Sequence, residues 1–320
     1  MSTEKWIIQV GESRVIDLGD VRKLKVGILG GRVNVIAHDE PGTRVEITGV
    51  TGKDLKVEID GDSLEIDHAQ LRWDNFLDVF KGWVGSAKAQ VSVLAPRDVT
   101  LKLGVVSGDA LISGFTTGVK ASAVSGELVL DGIRGDAELS SVSGEISASN
   151  HVGRVNAHTV SGDVVATGHV YSFSVDTVSG NAFLDAVGTP GKIDTNSVSG
   201  DLTVRFDRGT GARYRVNTVG GSVLIDNTSV KGLFGKGFER VDGELAGTWL
   251  DLGANSVSGS VSILPRHDSE ASSTASGWQP SEFSTGHSPE ASGAASWTTR
   301  ISESGTNNLP TPRSETGAPE

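Results

Sequence analysis

The chain repeats a short motif, Val-Ser-Gly-Asp or Val-Ser-Gly-Glu, at a nearly constant interval. Copies of the motif begin at Val106, Val124, Val142, Val160, Val178 and Val198, and weaker copies begin at Val219 and Val257. The first four intervals are 18 residues each, and the next three are 20, 21 and 38 residues. Such a period indicates one structural unit that is repeated along the chain, each copy packing on its neighbours. The last interval is close to two periods, so we expect a degenerate copy inside it, around an insertion at 231–244.

Apolar residues recur at fixed positions within the unit. The position four residues after the motif valine holds Ala110, Leu128, Ile146, Val164, Ala182, Leu202, Val223 and Val261, and the position six residues after it holds Ile112, Leu130, Ala148, Ala166, Leu184, Val204, Ile225 and Ile263. A separation of two residues places both positions on one face of a β-strand. A second apolar pair follows 13 and 15 residues after the valine in the first four units. Each unit is therefore predicted to contain two short strands.

The fixed phase of these positions distinguishes two all-β arrangements. A meander of hairpins does not require the same residue type at the same phase, whereas coils stacked about 4.8 Å apart do. The sequence therefore predicts an all-β fold, a single-stranded parallel β-solenoid (β-helix) with coils of about 18 residues. Three regions are expected: degenerate N-terminal β coils at 1–95, the regular motif-bearing solenoid at 96–265, and a disordered acidic tail rich in Ser, Gly and Pro at 266–320.

An aromatic segment at about 71–85 interrupts the strand pattern. Trp73, Phe76, Phe80 and Trp83 are spaced three, four and three residues apart, which places them on one face of a short helix. Two interpretations stay open: a lid that covers an end or seam of the solenoid, or a surface for a protein partner or self-association. On the second interpretation these four residues are the candidate interaction surface.

Composition and charge argue against several classes of function. The chain has no cysteine, so it offers no disulfide, thiolate nucleophile or thiolate metal site. The net charge of -12 disfavours binding to nucleic acid. No run approaches the ~20 apolar residues of a membrane span, and the N-terminus lacks the pattern of a secretory signal. We therefore expect no integral membrane segment and a cytoplasmic location.

The polar turn residues of the unit are interpreted as structural. The acidic position would form a stacked column of Asp109, Glu127, Glu145, Asp163, Asn181 and Asp201. Calcium takes six to eight oxygen ligands, more than one such column offers, so we expect exposed turn residues rather than a cation site. His151 and His169 are expected to be exposed, one coil apart, with no third metal ligand. The turns are too short to wall an active-site cleft, and we predict no catalytic, cofactor or metal site and no enzymatic activity.

The motif, its period and the strands that precede it resemble a known family. Val91–Pro96 forms a proline-containing strand and Leu101–Leu103 follows it, just before the first motif. Together with the recurrent motif they are similar to the bacterial β-strand-repeat family of unassigned function labelled DUF4097 or candidate adhesin. The resemblance covers Ile28–Leu264. It implies a β-solenoid and a bacterial source, and it brings no catalytic residues with it.

Three functions are compatible with these features. The favoured hypothesis is a non-enzymatic, cytoplasmic β-solenoid that acts as an interaction scaffold for a protein partner, with the tail as a flexible recruiting arm. The second is a self-assembling structural protein that stacks end to end as bactofilin-type solenoids do. The third, implied by the family label, is an adhesin or a protein associated with the cell envelope.

Overall fold

The structure, a computed structural model, describes residues 3–68, 87–209, 211–226, 228–231 and 237–266. All regular elements in these residues are β-strands, so the predicted all-β class is confirmed. Of the same residues, none belongs to a helix with the length and apolarity that crossing a bilayer requires. The predicted aromatic helix at 71–85 and the predicted tail beyond Arg266 lie outside the described residues.

The strands fall into three groups along the chain. The first group is β1 (Thr3–Ile8), β2 (Arg14–Leu18), β3 (Lys23–His38), β4 (Thr43–Thr51), β5 (Leu55–Asp60), β6 (Ser63–His68) and β7 (Lys88–Pro96). The second is β8 (Thr100–Ser113), β9 (Val119–Ser125), β10 (Leu128–Asp131), β11 (Ala137–Ser143), β12 (Ile146–Ser161), β13 (Val164–Ser179), β14 (Ala182–Ala186), β15 (Lys192–Ser199) and β16 (Leu202–Asp207). The third is β17 (Gly211–Thr218), β18 (Ser222–Ile225), β19 (Thr228–Lys231), β20 (Phe238–Gly243), β21 (Trp249–Ser258) and β22 (Val261–Arg266).

Successive units of the second group pair in parallel at the predicted offset. Leu128 pairs with Ala110 on one side and with Ile146 on the other, so each pairing joins residues 18 positions apart. We call one unit a coil: it contains a strand that ends in the motif and a strand that follows it. The predicted apolar positions face inward, and Leu128 and Leu130 are fully buried. Hydrophobic packing and continuous backbone pairing together hold the coils in register.

The motif glycines form a ladder in which neighbouring backbones touch. A Cβ built on any of these glycines from Gly108 onward would lie 1.8–2.2 Å from the carbonyl oxygen of the glycine in the adjacent coil. The ladder contains Gly31, Gly108, Gly126, Gly144, Gly162, Gly180, Gly200, Gly259 and Gly221, in the order in which the coils stack. Only some of them, such as Gly126 with φ 110°, have the left-handed conformation expected of a turn glycine. Close approach of the backbone therefore requires glycine at every copy.

The C-terminal coils do not stack in chain order. Strand β15 pairs in parallel with β21, and the other side of β21 pairs in parallel with β17. The last coil of the chain, β21 with β22, is therefore inserted between the coil of β15 with β16 and the coil of β17 with β18.

The expectation of a degenerate parallel copy in the 38-residue interval is wrong. This interval supplies β19 and β20, which pair antiparallel with β18 and β17. They lie over the outer edge of the coil of β17 with β18, where unpaired backbone would otherwise be exposed.

Antiparallel strands also occupy the N-terminal end. Strand β3 pairs in parallel with β8 on one side and with β6 and β7 on the other, as a degenerate coil would. Beyond it, β5 and β1 continue antiparallel from β6, while β4 and β2 continue antiparallel from β7. The expectation of parallel coils throughout 1–95 is therefore wrong for β1, β2, β4 and β5. One hydrophobic core nevertheless runs without a break from Ile8 to Ile263.

Candidate functional site

A groove of about 830 Å³ runs along the stack, across the strands that end in the motif. Two outward-facing positions of each coil form its walls: the motif valine and the residue two before it. One wall contains Ser122, Ser140, His158, Asp176, Asn196, Asn255 and Asn217, and the other contains Val142, Val160, Val178, Val198, Val257 and Val219. Because each coil contributes the same two positions, the groove is straight and repeats at the coil spacing of about 4.8 Å. We call it the valine groove.

Five valines of one wall are half exposed and lie in adjacent coils. Val160, Val178, Val198, Val257 and Val219 have exposed fractions of 49–56%. We call these five residues the valine row. The equivalent Val124 is buried and Val142 is partly buried, so the row begins at Val160. A continuous line of exposed aliphatic side chains on a regular sheet is typical of a contact surface rather than of a solvated face.

The opposite wall is a chain of hydrogen-bonded polar side chains. His158 Nδ1 lies 3.0 Å from Asp176 Oδ2, and Asn196 Nδ2 donates to Asp176 Oδ1 at 2.7 Å. Asn255 Nδ2 donates to Asn196 Oδ1 at 2.9 Å, and Asn217 Nδ2 donates to Asn255 Oδ1 at 2.8 Å. We call these five residues the amide ladder. Each asparagine still has one amide N–H and a carbonyl lone pair with which to bind a ligand.

Buried hydroxyl groups lie behind the groove, at the position just before the motif valine. The side-chain oxygens of Ser141, Thr159, Thr177, Ser197 and Ser256 are buried and have no hydrogen-bond partner among the described residues. Thr218, in the outermost parallel coil, instead donates to the Gly259 carbonyl at 3.1 Å and accepts from the Gly221 N–H at 3.1 Å. These residues form the floor of the groove between its two walls, with their hydroxyl oxygens turned away from solvent.

The acidic column lies on the other side of the motif turn, and its side chains bond to the backbone. Asp163 Oδ1 accepts from the Asn181 N–H at 2.7 Å, and Asn181 Oδ1 accepts from the Asp201 N–H at 3.0 Å. Asp201 Oδ1 accepts in turn from the Ser260 N–H at 2.8 Å. Each such side chain therefore satisfies a turn amide of the next coil. Within the described ranges, no three His, Cys, Asp or Glu side chains are grouped as metal ligands would be.

The histidines are not placed as the repeat predicted. An irregularity in β12 shifts the pairing, so that His151 lies beside Gly168 and His169 beside Val152. His151 is fully buried, contrary to expectation, and its Nε2 lies 3.2 Å from the Arg154 carbonyl oxygen. Burial lowers the pKa of His151, which favours the neutral ring. His169 is exposed as expected.

One wall of the valine groove carries the residue types of an acyl-transfer triad. Ser140, His158 and Asp176 occupy equivalent positions in three successive coils. The His158–Asp176 contact has the geometry of such a triad, but no hydrogen bond joins Ser140 to His158 among these described residues. Parallel pairing on both sides also engages the backbone N–H groups of these strands, which leaves no pair directed toward an oxyanion. This arrangement is not equipped for acyl transfer.

The valine groove does not include the interaction surface that was predicted from the sequence. Trp73, Phe76, Phe80 and Trp83 lie outside the described residues, so their role stays a prediction. The valine groove was not predicted, although the sequence contains its signal. On its own strand the motif valine is two residues from the amide-ladder position and three and five residues from buried positions, as Val160 is from Ala157 and Val155, so strand alternation points it outward.

The sequence of the central region identifies the family. Residues 21–239, more than half of the chain, match the family model described as Toastrack DUF4097. The chain belongs to this family. The resemblance noted from the motif is thereby confirmed. Among curated proteins, no match to this Toastrack protein was found.

Several solved structures are similar to this Toastrack protein at low identity. A candidate cell adhesion protein from Clostridium sporogenes is 13% identical, with 83% of this chain and 100% of that chain covered and a TM-score of 0.29. A candidate adhesin from Bacteroides fragilis is 12% identical, with 81% and 97% covered and a TM-score of 0.34. A candidate lipid binding protein from Parabacteroides distasonis is 12% identical, with 80% and 96% covered and a TM-score of 0.36. Similarity at this level identifies no ligand for this chain.

Proposed function

We propose that this Toastrack protein is a non-enzymatic interaction scaffold, a β-solenoid that binds a protein partner in the valine groove. The observation that supports it is the valine row, five half-exposed valines held in line by five adjacent coils. The amide ladder beside the row supplies hydrogen-bonding groups that fix the orientation of a ligand. An apolar strip with a few convergent polar groups is the usual composition of a binding site.

The energetics suit a modest, reversible interaction. Burying the exposed half of one valine is worth about 1 kcal/mol, so the five residues of the row together contribute about 5 kcal/mol. Association itself costs about 4–15 kcal/mol in lost rigid-body freedom. The row alone therefore supports only weak binding, and a partner must also use the amide ladder or a surface next to the groove.

Two other sequence-based hypotheses receive less support. End-to-end stacking of the bactofilin type needs open strand edges, but charged antiparallel strands such as β2, β19 and β20 lie at the ends of this stack. The adhesin hypothesis depends on where the protein is located. The cytoplasmic location stays a prediction, and fractionation of the native host with an antibody against the chain tests it.

The proposed function is tested by placing a charge in the groove. In a tagged protein, Val178→Asp with Val198→Asp should reduce capture of its specific partner from host lysate at least about tenfold, because a buried carboxylate opposes an apolar contact. Val187→Asp is the matched control, since Val187 is 48% exposed and lies outside the groove. Only variants whose urea unfolding midpoint equals that of the unsubstituted protein are compared, so that a loss of capture does not reflect unfolding. Capture of the same proteins in the same amounts by the groove variant and the control would contradict the proposal.

A further inference from the structure

We propose that the occupant of the valine groove is an amphipathic α-helix that lies along the stack and carries lysine or arginine on one flank. This inference rests on the proposed function and specifies the chemistry of the partner. Three properties of the groove support it: its direction relative to the strands, its repeat distance and the distribution of charge on its two sides.

The direction of the groove favours a helix over an added β-strand. The groove runs across the motif strands, and β12, β13, β15 and β21 are each paired on both sides. A partner strand therefore finds no free backbone edge along the groove. A helix forms its backbone hydrogen bonds internally and offers a partner only its side chains. The valine row has no free backbone edge, so side-chain packing is the contact that it can make.

The repeat distance of the valine row is close to that of a helix. Neighbouring coils are about 4.8 Å apart, and one helical turn rises about 5.4 Å. Apolar side chains spaced three or four residues apart on a helix can therefore pack between successive valines. The five valines span about 19 Å, the length of a helix of about 13 residues, and the whole groove of seven coils spans about 29 Å, or about 20 residues.

Charge distinguishes the two sides of the groove. Beyond the valine row, the carboxylates of Glu127, Glu145, Asp163 and Asp201 are exposed, and none forms an ion pair with a described residue. Two of them, Glu145 and Asp163, line a polar groove of about 600 Å³ together with the serines and glycines of the motif. Long cationic side chains could lie in it. Carboxylates repeated at the coil spacing repel one another, and lysine or arginine on the partner would relieve that repulsion.

On the side beyond the amide ladder, the carboxylates are paired with cations. Lys120 Nζ lies 2.8 Å from Glu138 Oε2, and Arg213 Nη2 lies 2.7 Å from Asp251 Oδ2. Within the ladder, both carboxylate oxygens of Asp176 have side-chain partners, since Oδ2 lies 3.0 Å from His158 Nδ1 and Oδ1 accepts from Asn196 Nδ2 at 2.7 Å. A column of carboxylates without ion pairs to described residues therefore lies on the valine side of the groove, so the cations of the partner helix are expected on that flank and not on both.

A second copy of this chain fits the groove less well. A stable dimer buries about 800 Å² on each partner, more than five half-exposed valines provide. Two facing copies would also bring their acidic columns together. The area and the charge both favour a different, basic partner.

The test uses the full 320-residue protein and a synthetic 18-residue peptide, with leucine along one face, lysine on one flank and alanine or glutamine elsewhere. Calorimetry measures affinity and circular dichroism measures helix formation. We expect the peptide to bind and to gain helix. We expect Glu127→Gln with Glu145→Gln, or Val178→Asp, to weaken binding at least about tenfold, and added salt to weaken it as well. Asp20→Asn with Asp98→Asn is the charge-matched control, because these two acids are exposed and line a separate pocket that shares no residue with either groove.

Several outcomes would overturn the inference. Equal binding of a peptide with glutamate on the flank would exclude the charge assignment, and equal binding of a peptide with a central proline would exclude the helix. Binding of a neutral linear oligosaccharide but of no peptide would identify a different class of ligand. If no peptide binds while Val178→Asp with Val198→Asp still abolishes partner capture, the helix is wrong and the proposed function stands. If those valine variants capture partners normally, the proposed function itself fails.

Discussion

Glycine at the third motif position is required by contact between neighbouring coils. The Gly126 carbonyl oxygen occupies the space that a Cβ on Gly144 would need, and the same contact recurs along the ladder. The other motif residues differ in role. Val160 faces the groove, and Asp163 accepts a hydrogen bond from the turn amide of the next coil. One short motif therefore specifies both the close packing of the coils and the open surface beside it.

Alanine substitutions at three glycines distinguish the effect of steric contact on stability from the effect of backbone strain. Gly144→Ala should destabilise the protein by about 3 kcal/mol or more, because the coils must move apart to accept a Cβ that would lie 2.0 Å from a carbonyl oxygen. Gly132→Ala should cost about 1 kcal/mol, since its φ of 65° is strained for alanine but nothing lies within 4 Å. Gly19→Ala, with neither feature, should change stability by less than about 0.5 kcal/mol. Urea denaturation measures all three, and equal losses for Gly144→Ala and Gly132→Ala would contradict the steric explanation.

The C-terminal coils are stacked in an order that differs from their order along the chain. Strand β21 lies between β15 and β17, so that Asn255 is hydrogen-bonded to Asn196 on one side and to Asn217 on the other. Along the chain, the outer coil of β17 with β18 comes first, and the antiparallel strands β19 and β20 follow it. The final coil, which begins with β21, then lies between β15 and β17. Such an arrangement ties the C-terminal part of the stack together through contacts that are distant in sequence.

Engineered disulfides test this order directly, because the chain contains no other cysteine. Asn196→Cys with Asn255→Cys should oxidise to a disulfide, since the two residues are register partners in adjacent strands. Asn196→Cys with Asn217→Cys should stay reduced, because one strand lies between them and their Cα atoms are about 10 Å apart. Mobility on a non-reducing gel distinguishes the two. Efficient oxidation of the second pair and not of the first would show that the coils stack in chain order.

Most of the regular stack could be predicted from the sequence, but the strands at its two ends could not. Apolar residues such as Leu128 and Ile146 recur at a fixed phase, which predicts both parallel pairing and burial. The order of the last coils could not be derived, because Gly221 and Gly259 belong to similar motifs and either could follow Gly200. The antiparallel strands at the ends were missed because alternation predicts a strand but not the direction of its partner. The groove could have been predicted, since alternation counted from the second apolar pair, such as Val155 and Ala157, places the motif valine outside.

In the part of the chain that the structure describes, antiparallel strands lie at both ends of the stack and the valine groove lies along its side. Antiparallel strands lie over the outer coils at both ends, so growth of the stack by pairing further strands is opposed there. Between these ends, the valine groove extends over seven coils, with the acidic column beside it. A rigid stack with one apolar strip is suited to hold a partner in a fixed orientation. We therefore regard the side of the stack, and not its ends, as the functional surface.

Site-specific photocrosslinking in the native host tests this assignment most directly. A photoreactive phenylalanine analogue replaces Val178 in the groove or, as the control, the equally exposed Val187 outside it. Irradiation of living cells should give a discrete adduct of higher mass from position 178 and none from position 187, and mass spectrometry of that adduct identifies the partner. Adducts from position 187 but not from position 178 would show that the binding surface lies elsewhere on the molecule.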